Sequence, residues 1–271
     1  MSPFTSIRPE PCIVDSSEVN KNTLVFLHGT SSDGASFSKE LLNIAPFDSL
    51  LPRTKLIFPS GSLRNTTVFG GKMTNAWFDI ADFADRTKGE EQQKKGLKES
   101  VVYLGGLVQD IVDNESHDKE FRVFIGGFSQ GCAMSMILLL SGELDRLGIT
   151  QKLGGFVGFS GWLPFAKQLY GVTASAKDWK EKRILAQMWL RRELGLPPST
   201  PRNGASPLKR NISIFLAHGA EDEKVKMEWG EDMGKVLEAV GYQVQWKQYK
   251  GLGHVIVSDE VVDMVYFIRY E

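Results

Sequence analysis

The hydrophobic positions of this chain fall into short apolar runs, which alternate with longer segments whose apolar residues recur at helical spacing. Short runs rich in β-branched and aromatic residues are typical of strands that are buried on both faces of a sheet. Such runs predict strands at 23–27, 55–59, 122–125, 153–159 and 211–217, a short edge strand at 12–14 and a half-exposed strand at 244–249. Helical spacing predicts helices at 89–114, 133–140, 225–240 and 255–269, and a further helix that includes Phe37, Leu41, Leu42 and Ile44. Because strands alternate with helices, we predict an α/β fold with a mostly parallel central sheet and helices on both faces.

One segment inside this pattern shows little periodicity. Residues 60–76 are punctuated by Gly61, Asn65, Gly70 and Gly71, which favours a long loop. Long loops within a compact domain are often functional. The aromatic pair Trp77 and Phe78 follows directly and either faces a pocket or pins the loop.

A second segment, residues 165–210, breaks the alternation of strands and helices. An amphipathic helix is predicted at 176–194, and the prolines that follow would end it. We therefore expect a single domain over residues 1–271 with an insert at 165–210. The insert is either a cap over a pocket or a peripheral decoration, and the sequence leaves both possibilities open.

The composition is that of an ordinary globular protein. The 271 residues are 42% hydrophobic and 24% charged, and 32 basic against 33 acidic residues give a net charge of −1. This balance does not favour a nucleic acid or an anionic membrane as partner. The first ten residues lack the apolar core of a signal peptide, and no apolar run reaches the roughly 18 residues of a membrane span. With Cys12 and Cys132 as its cysteines, we expect a cytoplasmic protein without a disulfide framework.

The candidate chemistry centres on a serine between a predicted strand and a predicted helix. Gly127, Ser129 and Gly131 form a G-x-S-x-G pattern after the 122–125 strand and before the 133–140 helix. This is the context of a nucleophile elbow, in which glycines allow a sharp turn that side chains beside the serine would obstruct. The amides at the start of the helix would face the developing negative charge of a reaction at that serine.

A serine hydroxyl needs a general base, and the base needs an orienting acid. The chain order Ser, acid, His of this architecture selects His254 over His218, because the acids on the loop after the 211–217 strand follow His218 and precede His254. The acid would be Glu221, Asp222 or Glu223, on the loop after the 211–217 strand. These groups follow predicted strand ends, where active sites of open α/β sheets gather.

Stabilisation of an oxyanion requires two backbone donors. The amide of Gln130 directly follows the serine, and the amide of Thr30 lies on the loop after the 23–27 strand. His28 precedes the serine and is interpreted as a structural residue that shapes its turn. No histidine–carboxylate cluster has the spacing of metal ligands, so neither a metal nor another cofactor is predicted.

With these residues in place, the chain resembles the acyl-protein thioesterase and lysophospholipase family of small carboxylesterases within the α/β-hydrolase superfamily. The resemblance spans residues 24–268 and is carried by Phe26-Leu27-His28-Gly29 with Asp33-Gly34, Trp77-Phe78-Asp79, Gly126-Gly127-Phe128-Ser129-Gln130-Gly131, Ser160-Gly161-Trp162-Leu163-Pro164, His218-Gly219 with Asp222, and Gly253-His254. It implies Ser129 as nucleophile, Asp222 as acid and His254 as base, with Thr30 and Gln130 as oxyanion donors. The family usually has leucine at the position of Thr30 and glycine at that of Cys132, and the 60–76 loop and the 165–210 insert also depart from its pattern.

The sequence therefore predicts a serine hydrolase that cleaves carboxylic esters or thioesters. Candidate substrates are a small-molecule or lipid acyl ester and an S-acylated protein. Apolar residues proposed as pocket walls are Trp77, Phe78, Trp162, Leu163 and Phe69. Two alternatives remain open: an acyl transferase or natural-product cyclase with the same triad, and a ligand-binding scaffold without catalysis.

Overall fold

The computed structural model describes residues 8–115, 118–199 and 212–271. Seven strands form the central sheet in the order β1-β3-β2-β6-β7-β8-β9. Their bounds are Cys12–Val14 (β1), Asn22–Leu27 (β2), Thr54–Phe58 (β3), Arg122–Phe128 (β6), Leu153–Phe159 (β7), Ser213–Gly219 (β8) and Gln243–Tyr249 (β9). Edge strand β1 pairs antiparallel to β3, and the other neighbours pair in parallel. The predicted strands and the mostly parallel sheet are thus confirmed, although Asn211 lies outside the described residues.

Helices cover both faces of this sheet, as predicted. Their bounds are Gly34–Leu42 (α1), Phe47–Leu50 (α2), Glu90–Glu115 (α3), Gln130–Leu140 (α4), Glu143–Leu147 (α5), Ala166–Thr173 (α6), Trp179–Glu193 (α7), Met227–Ala239 (α8) and Ser258–Tyr270 (α9). Two short 3-10 helices span Thr67–Phe69 and Thr150–Lys152. One core packs α3, α4 and α8 against the sheet, and a second core packs α1 and α9 against the other face. The sheet therefore lies between two layers of helices.

The prediction of a loop at 60–76 was wrong, because this segment is a β-hairpin. Strands Ser62–Thr66 (β4) and Lys72–Ala76 (β5) pair antiparallel in a separate two-stranded sheet. Gly70 and Gly71 turn the chain at φ values of +68° and +82°. Both strands are dominated by polar residues and lack an apolar run, so hydrophobic periodicity gave no signal for them.

Within the 165–210 segment, helix α7 packs on the body of the fold. The guanidinium of Arg183 donates to the carbonyl of Val240 at 2.9 Å and lies 3.9 Å from the centre of the Tyr242 ring. Arg191 donates to the carbonyl of Ser141 at 2.8 Å and pairs with Glu143 at 3.1 Å. These contacts hold α7 beside the C-terminal ends of α4 and α8. Residues 200–210 of the predicted insert lie outside the described residues.

Candidate active site

The turn between β6 and α4 holds Ser129 in a backbone conformation that few L-residues adopt. Its φ is +56° and its ψ is −117°. A Cβ atom at Gly127 would lie 2.6 Å from the carbonyl oxygen of Leu27, and one at Gly131 would lie 2.2 Å from the same oxygen. Both flanking positions therefore require glycine, because strand β2 passes directly beside the turn. Strained backbone conformations of this kind cluster at functional sites. Here the turn places the side chain of Ser129 just beyond the end of β6.

Loops at the carboxyl ends of β8 and β9 bring two further side chains to this serine. The Nε2 atom of His254 lies 3.0 Å from the Oγ atom of Ser129. The Nδ1 atom of the same ring lies 2.7 Å from Oδ2 of Asp222. Ser129, His254 and Asp222, which the family resemblance implies as nucleophile, base and acid, are therefore joined in one chain of hydrogen bonds.

The surroundings of Asp222 keep its carboxylate ionised. Its Oδ1 atom accepts hydrogen bonds from the backbone amides of Lys224 at 2.9 Å and Val225 at 2.8 Å. Burial raises the pKa of Asp222, but hydrogen bonds from His218, His254 and the Val225 amide outweigh it and hold this pKa well below its usual range. An ionised Asp222 fixes the proton of His254 on Nδ1, which leaves Nε2 as the acceptor for the hydroxyl of Ser129.

The two backbone amides that were predicted as oxyanion donors, those of Thr30 and Gln130, lie near Ser129. Thr30 lines the cavity beside the serine, and Gln130 is the first residue of α4. Neither amide donates a hydrogen bond within residues 8–115, 118–199 and 212–271. The side chain of Gln130 has a second role, because it accepts from the amide of Trp77 at 3.0 Å and donates to the carbonyl of Phe78 at 2.8 Å. It thereby ties the segment after β5 to the turn that carries Ser129.

A cavity of about 610 Å³ opens beside Ser129 and His254. Its other walls are Gly29, Thr30, Ser31, Phe69, Phe83, Ala84, Arg86, Phe128, Glu223 and Lys224. Phe69, one of the five predicted pocket walls, lies here, and its ring centre is 5.5 Å from that of Phe83. The two phenylalanines give an apolar patch to a cavity that Ser129 and His254 also line.

The other predicted pocket walls lie elsewhere. Trp77 and Phe78 are fully buried in the core, where the indole N–H of Trp77 donates to the carbonyl of His28 at 2.9 Å. Trp162 and Leu163 line a neighbouring cavity of about 270 Å³. An aromatic pair in sequence did not distinguish a pocket wall from a packed core residue, because both uses demand the same side chains.

Sequence reasoning missed several residues of the cavity, notably Phe83, Arg86 and Phe128. Phe83 and Arg86 lie between Asp79 and the start of α3, in a stretch without periodicity. A sequence signal for these two residues was that a phenylalanine and an arginine stand among residues that are mostly small or polar. Phe128 occupies the variable position before the serine, and its ring centre lies 4.7 Å from that of His254.

His28 has the structural role that its position in the chain suggested. Its Nδ1–H donates to the carbonyl of Gly29 at 2.6 Å, and its Nε2 accepts from the amide of Gly61 at 2.8 Å. Burial lowers the pKa of His28 to about 4, so the ring stays neutral and holds the turn before Thr30. In the described parts of the chain, no cluster of histidine, cysteine and acidic residues could hold a metal ion. None of the helices described is long and apolar enough to cross a membrane.

Known proteins are similar in sequence to this chain over nearly its whole length. A family model described as phospholipase/carboxylesterase matches residues 9–188 and 194–271, a match that includes α6 and most of α7. Acyl-protein thioesterase 1 of Gibberella zeae is 27% identical over 268 residues, which cover 98% of this chain and 97% of that protein. Acyl-protein thioesterase 1 of Yarrowia lipolytica is 28% identical over 271 residues, with 99% and 98% covered.

The structural comparison agrees with the sequence comparisons. The crystal structure of Zea mays acyl-protein thioesterase 2 matches with a TM-score of 0.67 at 25% identity, covering 96% of this chain and 97% of that one. The predicted family resemblance is thereby confirmed. The chain belongs to the phospholipase/carboxylesterase family, has the α/β-hydrolase fold and is a hydrolase of carboxylic esters or thioesters.

Proposed function

We propose that this hydrolase works through an acyl-enzyme formed on Ser129, with His254 as general base and Asp222 as its orienting acid. The observation that carries this proposal is the continuous hydrogen-bond chain of 3.0 Å and 2.7 Å across the three side chains. It supplies the serine with an acceptor for its proton and the histidine with a carboxylate that stabilises the imidazolium.

The proposed reaction has two steps. Ser129 Oγ attacks the acyl carbon while Nε2 of His254 takes the hydroxyl proton, and the amides of Thr30 and Gln130 stabilise the oxyanion. The tetrahedral intermediate collapses, and the thiol or alcohol leaves with the proton held by His254. Water then attacks the acyl-enzyme with His254 again as base, which releases the carboxylic acid and restores Ser129.

We further propose that the substrate is an S-acylated protein or a small-molecule or lipid acyl ester, with the thioester as the preferred class. The similar proteins named acyl-protein thioesterase support this choice. The apolar patch of Phe69 and Phe83 would contact the acyl chain, and a cavity of about 610 Å³ lies within the usual size range of ligand sites.

We propose that residues 1–271 act as one domain. The free thiols of Cys12 and Cys132 suit the reducing interior of a cell.

The test is hydrolysis of a chain-length series of acyl esters and matched thioesters. Wild type is compared with Ser129→Ala and with a control, Ser135→Ala, which removes a buried hydroxyl that bonds only within α4. We expect turnover by wild type and the control, and a loss of about a thousandfold or more in Ser129→Ala. Equal turnover by all three proteins would refute the assignment of Ser129. Analysis of the products separates hydrolysis from acyl transfer.

A further inference from the structure

An arginine forms the wall between the two cavities at the active site. Arg86 lines the cavity that contains Ser129 and His254, and it also lines the neighbouring cavity beside Trp162. It lies on the segment between β5 and α3. A ligand that extends from the serine into either space would therefore meet this side chain.

Aromatic rings hold the Arg86 guanidinium in place. Its Cζ atom lies 4.4 Å from the ring centre of Trp162, 5.1 Å from that of Phe83 and 5.6 Å from that of Trp229. One hydrogen bond fixes its orientation, from Nη2 to the carbonyl of Lys224 at 3.1 Å. Stacking of this kind orients a guanidinium but does not satisfy its in-plane N–H groups.

The remaining donors of Arg86 have no acceptor. Its Nε and Nη1 atoms are enclosed and have no hydrogen-bond partner in the part of the chain that the structure describes, and the side chain joins no ion pair there. Burial lowers the pKa of Arg86 to about 10, and the charges of Asp222 and Asp82 offset this effect only in part. Enclosed charged donors without acceptors cost free energy. A bound anion would remove that cost.

Charged residues of both signs line the two cavities. Among the residues described, the lining cations form no ion pair: Arg86, Lys167, Lys224 and Lys226. The acids that line the smaller cavity each hydrogen-bond to another side chain, Asp85 with Thr87, Glu90 with Gln168 and Asp232 with Lys235. Glu223 also lines the larger cavity, so cations and acids are balanced around the two cavities. Arg86 differs from the other lining cations because its enclosed N–H groups lack acceptors among the described residues.

We propose that Arg86 is a specificity-determining residue that binds a carboxylate on the substrate. The inference rests on the proposed function, in which the ester or thioester carbon is attacked at Ser129. The substrate class is then an ester or thioester that carries a second, free carboxylate on its acyl chain or on its leaving group. The planar guanidinium carries a fork of N–H donors, which matches a carboxylate in two parallel hydrogen bonds.

The competing interpretation is that Arg86 only braces the segment between β5 and α3 against the aromatic rings. A brace affects charged and neutral substrates alike, whereas a carboxylate-binding residue changes their ratio. Kinetics on matched substrates therefore separate the two interpretations even when a substitution lowers stability.

Two pairs of thioesters test the acyl side and the leaving-group side. The first pair is the glutaryl thioester of N-acetylcysteamine and its methyl ester. The second pair is S-butyryl 3-mercaptopropionate and the corresponding amide. For wild type, Arg86→Gln and Arg86→Lys, the readout is the ratio of kcat/KM for the charged over the neutral member. The control is Lys88→Gln, which removes a cation of the same segment that pairs with Asp82 and lines neither cavity.

We expect Arg86→Gln to lower the ratio of kcat/KM values at least about 30-fold in one pair of substrates. This is the smallest loss in affinity that is typical when one partner of a buried charge pair is truncated. Arg86→Lys should keep part of the preference, and Lys88→Gln should keep all of it. The pair that responds shows which side of the substrate carries the carboxylate. Equal ratios in wild type and Arg86→Gln for both pairs would overturn the inference, and neutral substrates cleaved in a Ser129-dependent way would still support the proposed function.

Direct binding gives a readout that needs no turnover. Ligand-observed NMR with the N-monomethyl monoamide of glutaric acid as probe and the N,N′-dimethyl diamide as its neutral control measures whether a carboxylate is required, and neither probe contains an ester or thioester that the enzyme could cleave. We expect saturable binding of the monomethyl probe to wild type and to Lys88→Gln, and loss of that binding in Arg86→Gln. Binding of both probes alike, or binding that persists in Arg86→Gln, would contradict the inference whether or not Ser129 is catalytic.

Discussion

A buried acid next to the loop of His254 should make the stability of this protein depend on pH. Glu260 is fully buried in the first turn of α9, and its Oε2 atom accepts from the amide of Val257 at 3.1 Å. Its Oε1 atom has no partner in the described chain. Burial raises the pKa of Glu260 to about 7, the Val257 amide opposes this, and the charges of Asp222 and Asp263 add to the rise. Substitution of Glu260 by glutamine removes the titratable group and keeps the shape of the side chain.

The sign and the size follow from linkage. The folded-state pKa of about 7 exceeds the ordinary value of 4.5, so the folded protein binds more protons than the unfolded chain between these values. The stabilising contribution of protonated Glu260 is therefore full below the unfolded pKa and is lost as the pH rises through the folded pKa. At about 1.4 kcal/mol per pH unit, the free energy of unfolding falls by about 2 to 3 kcal/mol from pH 5 to pH 8 because of this one group.

The assay is urea unfolding of wild type and Glu260→Gln at both pH values. The stability difference between the two proteins should change by about 2 to 3 kcal/mol, with the glutamine variant gaining relative to wild type at pH 8. This double difference cancels other groups, including His28, whose pKa of about 4 gives the opposite trend. A matched control is Glu228→Gln, an exposed acid in the first turn of α8. The reasoning would be refuted if Glu260→Gln showed the same pH dependence as wild type.

Three further predictions concern the turn and the triad. Gly131→Ala places a methyl group 2.2 Å from the carbonyl oxygen of Leu27, so the free energy of unfolding in urea should fall by about 2 kcal/mol or more; an unchanged value would contradict the close approach of β2. Gln130→Ala leaves the amide of Trp77 and a buried carbonyl without partners, so calorimetry should show a loss of about 2 to 4 kcal/mol; unaltered melting would count against this link. Asp222→Asn should lower kcat on an acyl thioester about a thousandfold or more, and a near-normal kcat would exclude its assigned role.

Much of the fold could be predicted because its signals are local. The strands of the central sheet are buried on both faces and appear as apolar runs, and long helices such as α3 show regular spacing. The hairpin of β4 and β5 was missed, since it lies outside the central sheet and has polar strands. Helix α6 was also missed, because its short span offers little periodicity.

The proximity of Ser129, Asp222 and His254 could be anticipated because each residue follows the end of a parallel strand, and the topology brings such ends together. The cavity walls could not be anticipated in the same way. Trp77 lies in the core, where its backbone amide donates to the side chain of Gln130. Gln130 is distant from Trp77 in sequence, so no local pattern predicts this contact. Arg86 lies at the cavity because its guanidinium packs against the rings of Trp162 and Trp229. Both rings are distant from Arg86 in sequence, so no local pattern predicts these contacts.

The most direct test of the proposed mechanism is mass spectrometry of the protein during turnover. Wild type is mixed with a slowly hydrolysed acyl thioester, quenched in acid within the first turnover, and mapped by peptide. The account predicts a mass increase equal to one acyl group on the peptide that contains Ser129, and no such adduct in Ser129→Ala. An acyl group on Cys132 or on another residue, or turnover without any adduct in wild type and with Ser129→Ala equally active, would contradict it.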